Sequence, residues 1–408
     1  MSATTPHLRD AMAADAARLL LRLGVAVLAL GLPVIALLSR RAGFFLFPIS
    51  AALILLAAML RASPDAPRRF VSALGSRLGA AALFLVGWAA LSLVWSPFRA
   101  EAADHVLRIV ATGLFAAAVA AALPQRTRSS DLYLLPIGAA AAAALAVMLA
   151  FSAAPVAPAD IEANAVPRGI AALSVLVWPA LGALGARHHW AFAIALFLAV
   201  AAAAALNFAP ISLAALGCGV LAFAAARGDL TQVSRGLGGL AALLFIGAPL
   251  LLVLGDALFA MRGGAASEFA RSVVESAAIL KADPARLLTG HGFDAAVRSV
   301  QAGFLPPATP RSLLFEIWYD LGALGALSLS AVVYLCFAAA GRSGAAAGPA
   351  LAGGLTTCLV FAITGLHTTQ VWWMTLLASG LVATTLVVRG QYRTSRPLAQ
   401  IVEAGVAE

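Results

Sequence analysis

The stretch from Gly290 to Asp320 gathers the side chains with the most chemistry to offer. His291 stands between Gly290 and Gly292. Its charge changes near neutral pH, and the flanking glycines leave room for close backbone approach, so it can serve as a general base or a phosphate contact. Asp294 and Arg298 lie four apart and can pair on a short helix. Glu316 and Asp320 have the same spacing, which puts two carboxylates on one helix face. Carboxylates in a membrane helix are costly and tend to be functional. Activating a sugar hydroxyl is one role open to them; pairing with Arg311 or another loop cation is the other. Thr309-Pro310-Arg311 reads as the N-cap, N1 and N2 of a helix, and Val166-Pro167-Arg168 repeats the arrangement earlier in the chain. A helix N-terminus with an arginine suits an anion, phosphate above all. The plainer reading is that Pro-Arg starts a helix and the arginine snorkels to headgroup phosphates.

The elements that must position these groups are hydrophobic. The 408 residues are 62% hydrophobic and 11% charged, against roughly 45–50% and 25% in soluble domains. Such a chain uses lipid as solvent, where helices and closed barrels alone satisfy the backbone. The apolar runs are unbroken over bilayer-spanning lengths and do not alternate as barrel strands do. The fold class is therefore an all-α membrane protein, a polytopic helical bundle of about twelve transmembrane helices. The expected spans are 18–38, 43–61, 78–95, 108–123, 132–152, 169–186, 190–206, 209–226, 236–258, 313–339, 348–365 and 370–388. The first is read as a membrane helix, since its apolar run after Arg18 and Arg22 is too long for a signal peptide. Cys218, Cys336 and Cys358 sit in apolar runs without CxxC spacing, which implies neither a disulfide framework nor a metal site. Nothing in the sequence calls for a cofactor.

Arginine placement sets the expected orientation. With the N-terminus in the cytoplasm, inside loops hold Arg68, Arg69, Arg126, Arg128, Arg187, Arg227, Arg235 and Arg342, while short outside loops hold Arg40, Arg41, Arg99 and Arg168. Both termini are then cytoplasmic. The net charge of +9 is mostly this signal, and no basic patch interleaves with aromatics as a nucleic-acid surface would. The chain divides into a bundle of about nine spans over 1–258, a large extracytoplasmic loop with short helices over 259–312, about three spans over 313–388 and a cytoplasmic tail over 389–408. Within the loop, Phe269, Val273, Val274, Ala277 and Leu280 form the stripe of an amphipathic helix, with Ser267 as its N-cap. Trp318, Tyr319, Trp372 and Trp373 read as interfacial belt residues, and His367 with Gln370 cap the last external turn. His188 and His189 read as a polar turn.

The order of these features is familiar. Pro167-Arg168-Gly169 enters a helix containing Trp178-Pro179; a large loop with Asp283-Pro284 and Gly290-His291-Gly292 follows; then come "TPRSLLFEIWYDLGALGA" and "VWWM". This resembles the O-antigen ligase and polymerase superfamily of bacterial inner-membrane glycosyltransferases, over 160–190, 265–330 and 365–385. Family members usually carry Asn-Arg-Gly at the mid-chain helix, and His-Pro-His-Asn followed by Glu-x-Gly after the loop. This chain has Pro167-Arg168-Gly169, Thr309-Pro310-Arg311-Ser312 and Asp320-Leu321-Gly322. The resemblance implies that Arg168 contacts undecaprenyl pyrophosphate, that Arg271 or Arg286 matches a second loop arginine, and that Asp320 holds the acidic position.

Arg311 stands where the family has a histidine. Arginine cannot accept a proton at working pH, its pKa being above about 12, but it can stabilise a leaving diphosphate. Either His291, Glu316 or Asp320 takes the proton, or ligase chemistry is lost. The resemblance thus implies transfer or polymerisation of a glycan from an undecaprenyl-pyrophosphate carrier onto a glycan or lipid A–core acceptor. A non-catalytic protein that binds lipid-linked glycan is the alternative. A transporter or flippase would need ionisable residues near the midplane, and mid-span text is nearly bare of charge.

Overall fold

The computed structural model describes residues 5–61, 65–152, 165–261, 268–307, 309, 312–364 and 371–391. Among these residues the chain forms helices, turns and one isolated bridge, Thr127 to Gly390. The first helix, α1 (Thr5–Ala26), passes through a π turn at Val27–Gly31 into α2 (Leu32–Leu38). Then follow α3 (Ala42–Leu60), α4 (Asp65–Leu74), α5 (Arg77–Ser92), α6 (Arg99–Ala122), α7 (Ser129–Leu132), α8 (Leu134–Ser152) and α9 (Ala165–Gly185). The hairpin α10 (Trp190–Leu206) and α11 (Pro210–Ala226) leads to the long α12 (Leu230–Met261). Three loop helices follow, α13 (Glu268–Ala282), α14 (Arg286–Thr289) and α15 (Ala295–Gln301). The chain closes with α16 (Leu313–Ala340), α17 (Gly348–Thr364) and α18 (Val371–Val388).

Eight helical segments among the described residues are long and apolar enough to cross a membrane, and a ninth joins them if α4 and α5, bent by 63°, form one broken span. The apolar helices α10, α11 and α17 have 17 residues each, about 25 Å of rise, the lower edge of span length.

Two packing groups build the bundle. In the first, α9 is the hub, touching α2, α8, α10, α17 and α18, with 94% of its most apolar window buried. Lipid gives no hydrophobic drive between helices, so large side chains seat against small ones. Trp178 on α9 does so: its Nε1 donates to Thr357 Oγ1 at 2.8 Å, and a Cβ on Gly219 or Gly353 would run into its indole. In the second group α16 pairs with α12 and α5. The two groups meet through α17, which touches both α9 and α16.

The amphipathic reading of α13 is visible in its burial. Ala277 and Leu280 are buried, Val273 and Val274 half-buried, and α13 packs along the end of α12. The side chain of Phe269, and Ser267, lie outside the described residues. The span expected at 313–339 is not one continuous helix. Gly322 has φ +63° and ψ −159°, which breaks α16 after its first nine residues.

Candidate functional site

The break in α16 frees carbonyls that a continuous helix would have engaged, and the loop takes over as donor. His291 N–H donates to Tyr319 O at 2.8 Å and Gly292 N–H to Asp320 O at 2.9 Å. From the far side Trp88 Nε1 on α5 donates to Leu321 O at 2.9 Å. This contact requires glycine. Gly290 and Gly322 both have positive φ, and a Cβ on either would strike the facing segment's backbone, Asp320 for Gly290 and Leu288 for Gly322.

Asp320 completes the junction. Its side chain is buried; Oδ1 accepts Ala296 N–H at 2.7 Å and Oδ2 accepts Asp294 N–H at 3.1 Å, so it closes the N-terminus of α15. Asp294, itself buried and in the left-handed region at φ +62°, accepts Arg298 Nε at 2.7 Å and lies 3.2 Å from His105 Nδ1 on α6. The expected Asp294–Arg298 pair is therefore present. Phe293 N–H donates to Ser92 Oγ at 3.0 Å. Three helices of the bundle, α5, α6 and α16, thus fix one loop segment.

His291 sits on this platform. Its ring stacks on Tyr319, centroids 4.1 Å apart and planes 9° from parallel, with Nδ1 3.1 Å from Tyr319 O. A carbonyl can only accept, so Nδ1 carries the proton and Nε2 is the basic nitrogen of the neutral ring. Burial pulls the imidazole pKa below its ordinary value of 6.5; the Tyr319 carbonyl opposes this, Arg286 nearby adds to it and Asp283 opposes it. The ring is therefore neutral at neutral pH and able to take a proton.

The other sequence candidates divide. Glu316 is buried one turn before Asp320. Arg286 is half-buried beside His291, its Nη1 3.5 Å from Gly290 O and its Nε 4.0 Å from Asp283. Arg271 is exposed on α13. Of the two loop arginines, Arg286 is thus the one placed near His291. Arg168 lies in the first turns of α9, 5.5 Å from the Trp372 ring centroid, and shares a small cavity with Arg40 and Ser39. Arg311, Pro310, His367 and Gln370 lie outside the described residues. The N-cap expected at Thr309 is instead Ser312, whose Oγ accepts Leu314 N–H and donates to Ile363 O at 2.7 Å. The belt reading also needs correction: Tyr319 and Trp373 are buried, and Trp318 Nε1 donates to Phe245 O at 2.7 Å.

Beneath the loop lies an apolar cavity of about 330 Å³ between α5, α6, α12, α16, α17 and α18. Phe293 lines it, so the segment carrying His291 also forms part of the cavity wall. Trp373 lines the cavity while its neighbour Trp372 faces Arg168. One turn of α18 therefore separates the arginine pair from the apolar space.

The chain matches no family model, no curated protein and no solved structure.

Among the described residues no cluster of three or more His, Cys, Asp or Glu could hold a metal ion. Sequence reasoning missed Trp88, Ser92, His105 and Arg40 as parts of the site. His105, in the polar turn before the span at 108–123, carried a signal: it is a histidine placed by the expected topology at the same end as His291.

Proposed function

We propose that this chain is an inner-membrane glycosyltransferase of the O-antigen ligase-like kind, with twelve spans, both termini in the cytoplasm and the 259–312 loop in the periplasm. It moves a glycan from an undecaprenyl-pyrophosphate carrier to the hydroxyl of a glycan or lipid A–core acceptor. The observation that carries the reading is His291, held neutral on Tyr319 with Nε2 as the basic nitrogen, above an apolar cavity that Phe293 shares. A lipid-linked sugar needs both halves of such a site.

In the step, the acceptor oxygen attacks the anomeric carbon and its bond to the diphosphate oxygen breaks. The diphosphate leaves with the electron pair, and the acceptor proton passes to His291 Nε2. Arg286, Arg168 and Arg311 neutralise the departing charge. Asp320 serves as a positioning residue, because its two oxygens are taken by the amides of Asp294 and Ala296. Glu316, buried one turn away, is the second candidate for the proton.

The second reading is a non-catalytic protein that binds lipid-linked glycan within a polysaccharide assembly complex. The engagement of Asp320 in backbone hydrogen bonds favours it, since the acidic position then does no chemistry.

The test is a deletion strain complemented with wild type, His291→Gln, Arg168→Ala or Arg311→Ala, each checked for membrane expression. Lipopolysaccharide and exopolysaccharide are run on gels and undecaprenyl-linked glycan is quantified. A transferase predicts loss of long-chain polymer and build-up of precursor in the deletion and in His291→Gln, by about 10²-fold or more in rate. A deletion defect that all three variants restore favours the binding reading. An unchanged glycan profile on deletion removes both.

A further inference from the structure

Helix α4 is divided along its length rather than across it. Its ten residues rise about 15 Å, half of a hydrocarbon core, and none of them is buried. It packs on α6 and α5 and meets the line of α5 at 63°. The corner is built. Ser76 Oγ donates to Ala73 O at 2.7 Å and accepts Gly79 N–H at 3.0 Å, and a Cβ on Gly79 would strike the carbonyls of Ala73 and Leu74. Around the axis of α4, Ala66, Arg69, Phe70 and Leu74 are half-buried. On the exposed side Pro67 and Val71, four apart, form an apolar edge, with Val71 67% exposed. Asp65 and Ser72, seven apart, form a polar edge, and Arg68 projects between the two.

The neighbours of α4 give its level. Arg389 closes the end of α6, donating to Ala120 O at 2.8 Å and to Leu123 O at 2.9 Å, and its charge is near enough to Arg69 for the two to repel. Arg69 therefore stands beside the last turn of α6, where that helix leaves its apolar run. Among the described residues no carboxylate pairs with Arg68, Arg69 or Arg389. Arg77, at the start of α5, adds an exposed cation to the same corner. A protein helix laid on this face would have to cover Pro67 and Val71 and supply an acid to Arg68 on a strip one side chain wide. A lipid leaflet presents acyl chains, phosphates and water in that order.

We propose that α4 lies in the headgroup layer of the membrane, with Pro67 and Val71 on acyl chains, Arg68 on the phosphates of anionic lipids, and Asp65 and Ser72 toward water. A helix apolar along one side and cationic beside it takes this position in a bilayer. Helix α5 then crosses from its own first turn, and the corner at Ser76 marks the membrane surface. The site stands apart from the glycan reading and requires none of its residues.

The experiment uses the full chain in bilayers of phosphatidylcholine, with or without phosphatidylglycerol. Depth is read from a nitroxide placed through Val71→Cys or Ser72→Cys, both exposed positions, with the three native cysteines changed to Ala. Oxygen, which concentrates in hydrocarbon, relaxes the probe at 71, and a water-soluble nickel chelate relaxes the probe at 72. The headgroup contact is read by hydrogen exchange over 65–74 in the chain with its native cysteines. Phosphatidylglycerol slows that exchange about fivefold, the factor for one arginine near an anionic headgroup, and Arg68→Gln removes the slowing. Chelate reaching both probes overturns the proposal by placing α4 in water. Oxygen reaching both overturns it in favour of a broken span. Shielding of position 71 from both reagents assigns the face to another protein chain. Exchange that ignores phosphatidylglycerol in wild type, or keeps its slowing in Arg68→Gln, overturns the phosphate contact.

Discussion

Helices α9 and α16 begin at the same end of the molecule and are held in place by different means. The first is enclosed by its neighbours and fixed by shape, with Trp178 seated among Gly219, Gly353 and Gly354 and one hydrogen bond to Thr357. The second is broken at Gly322 and fixed by hydrogen bonds, with the Tyr319, Asp320 and Leu321 carbonyls answered by His291, Gly292 and Trp88. Packing suffices where the helix stays continuous, and α9 does so even past Pro179, which has no N–H to offer the preceding turn. Once the helix breaks inside an apolar surround, each freed group needs a donor from elsewhere. Those donors also hold His291 and Asp294 in register, so the price of the break is a set of fixed polar groups.

The contrast can be broken at its packed side first. Trp178→Ala leaves a cavity against three glycines that cannot fill it. It is expected to cost about 3–5 kcal/mol, the range for a buried aromatic, measured by unfolding in detergent. A loss below that of the next variant would reverse the assignment of shape as the stronger device.

Asp320→Ala leaves the amides of Asp294 and Ala296 buried without an acceptor. At about 1–3 kcal/mol per group, less the relief of no longer burying a carboxylate, the expected loss is about 2–4 kcal/mol. It is local: hydrogen exchange rises across 291–301 while α9 keeps its protection. Asp320→Asn retains one acceptor oxygen and loses about half as much. Equal exchange in α9 and the loop would show that the two helices are not separately fixed.

The smallest effect follows pH. The His291 pKa lies below the ordinary 6.5 because of burial. Between the folded and unfolded values the unfolded chain holds more protons, so this contribution is complete above about pH 6.5 and falls away as pH drops below it. Exchange at 290–296, corrected for intrinsic rates, should rise from pH 7 to pH 5 in wild type. His291→Phe keeps the stack on Tyr319 without a titrating nitrogen and should flatten that dependence. A wild-type profile that is itself flat would remove His291 as the titrating group.

Much of the helical plan was legible because lipid forces it. Long apolar runs have few other choices, and the stripe of α13 and the Asp294–Arg298 spacing follow from helix geometry. The break at Gly322 was not legible. A single glycine in an apolar run reads as ordinary small-residue packing, and what demands glycine at 322, its positive φ and the backbone of Leu288 and Gly290 where a Cβ would go, comes from a distant segment. Tyr319 and Trp373 were misread for a related reason: an aromatic near a helix end looks the same whether it faces lipid or a loop folded over it. Ser312 displaced Thr309 as the N-cap because it sits in extended backbone directly before Leu313 and also reaches Ile363 on α17. The partners of Asp320 come from residues 24 and 26 positions away, a distance at which pattern carries no information.

The bond from Trp88 to Leu321 spans 233 residues. A ribosome finishes α5 long before it makes the helix that α5 must help complete, and the loop that supplies the remaining donors emerges in between. The first turns of α16 therefore cannot settle on their own during insertion. They wait for a dock that already stands, so the last quarter of the chain is assembled onto a template laid down by the first.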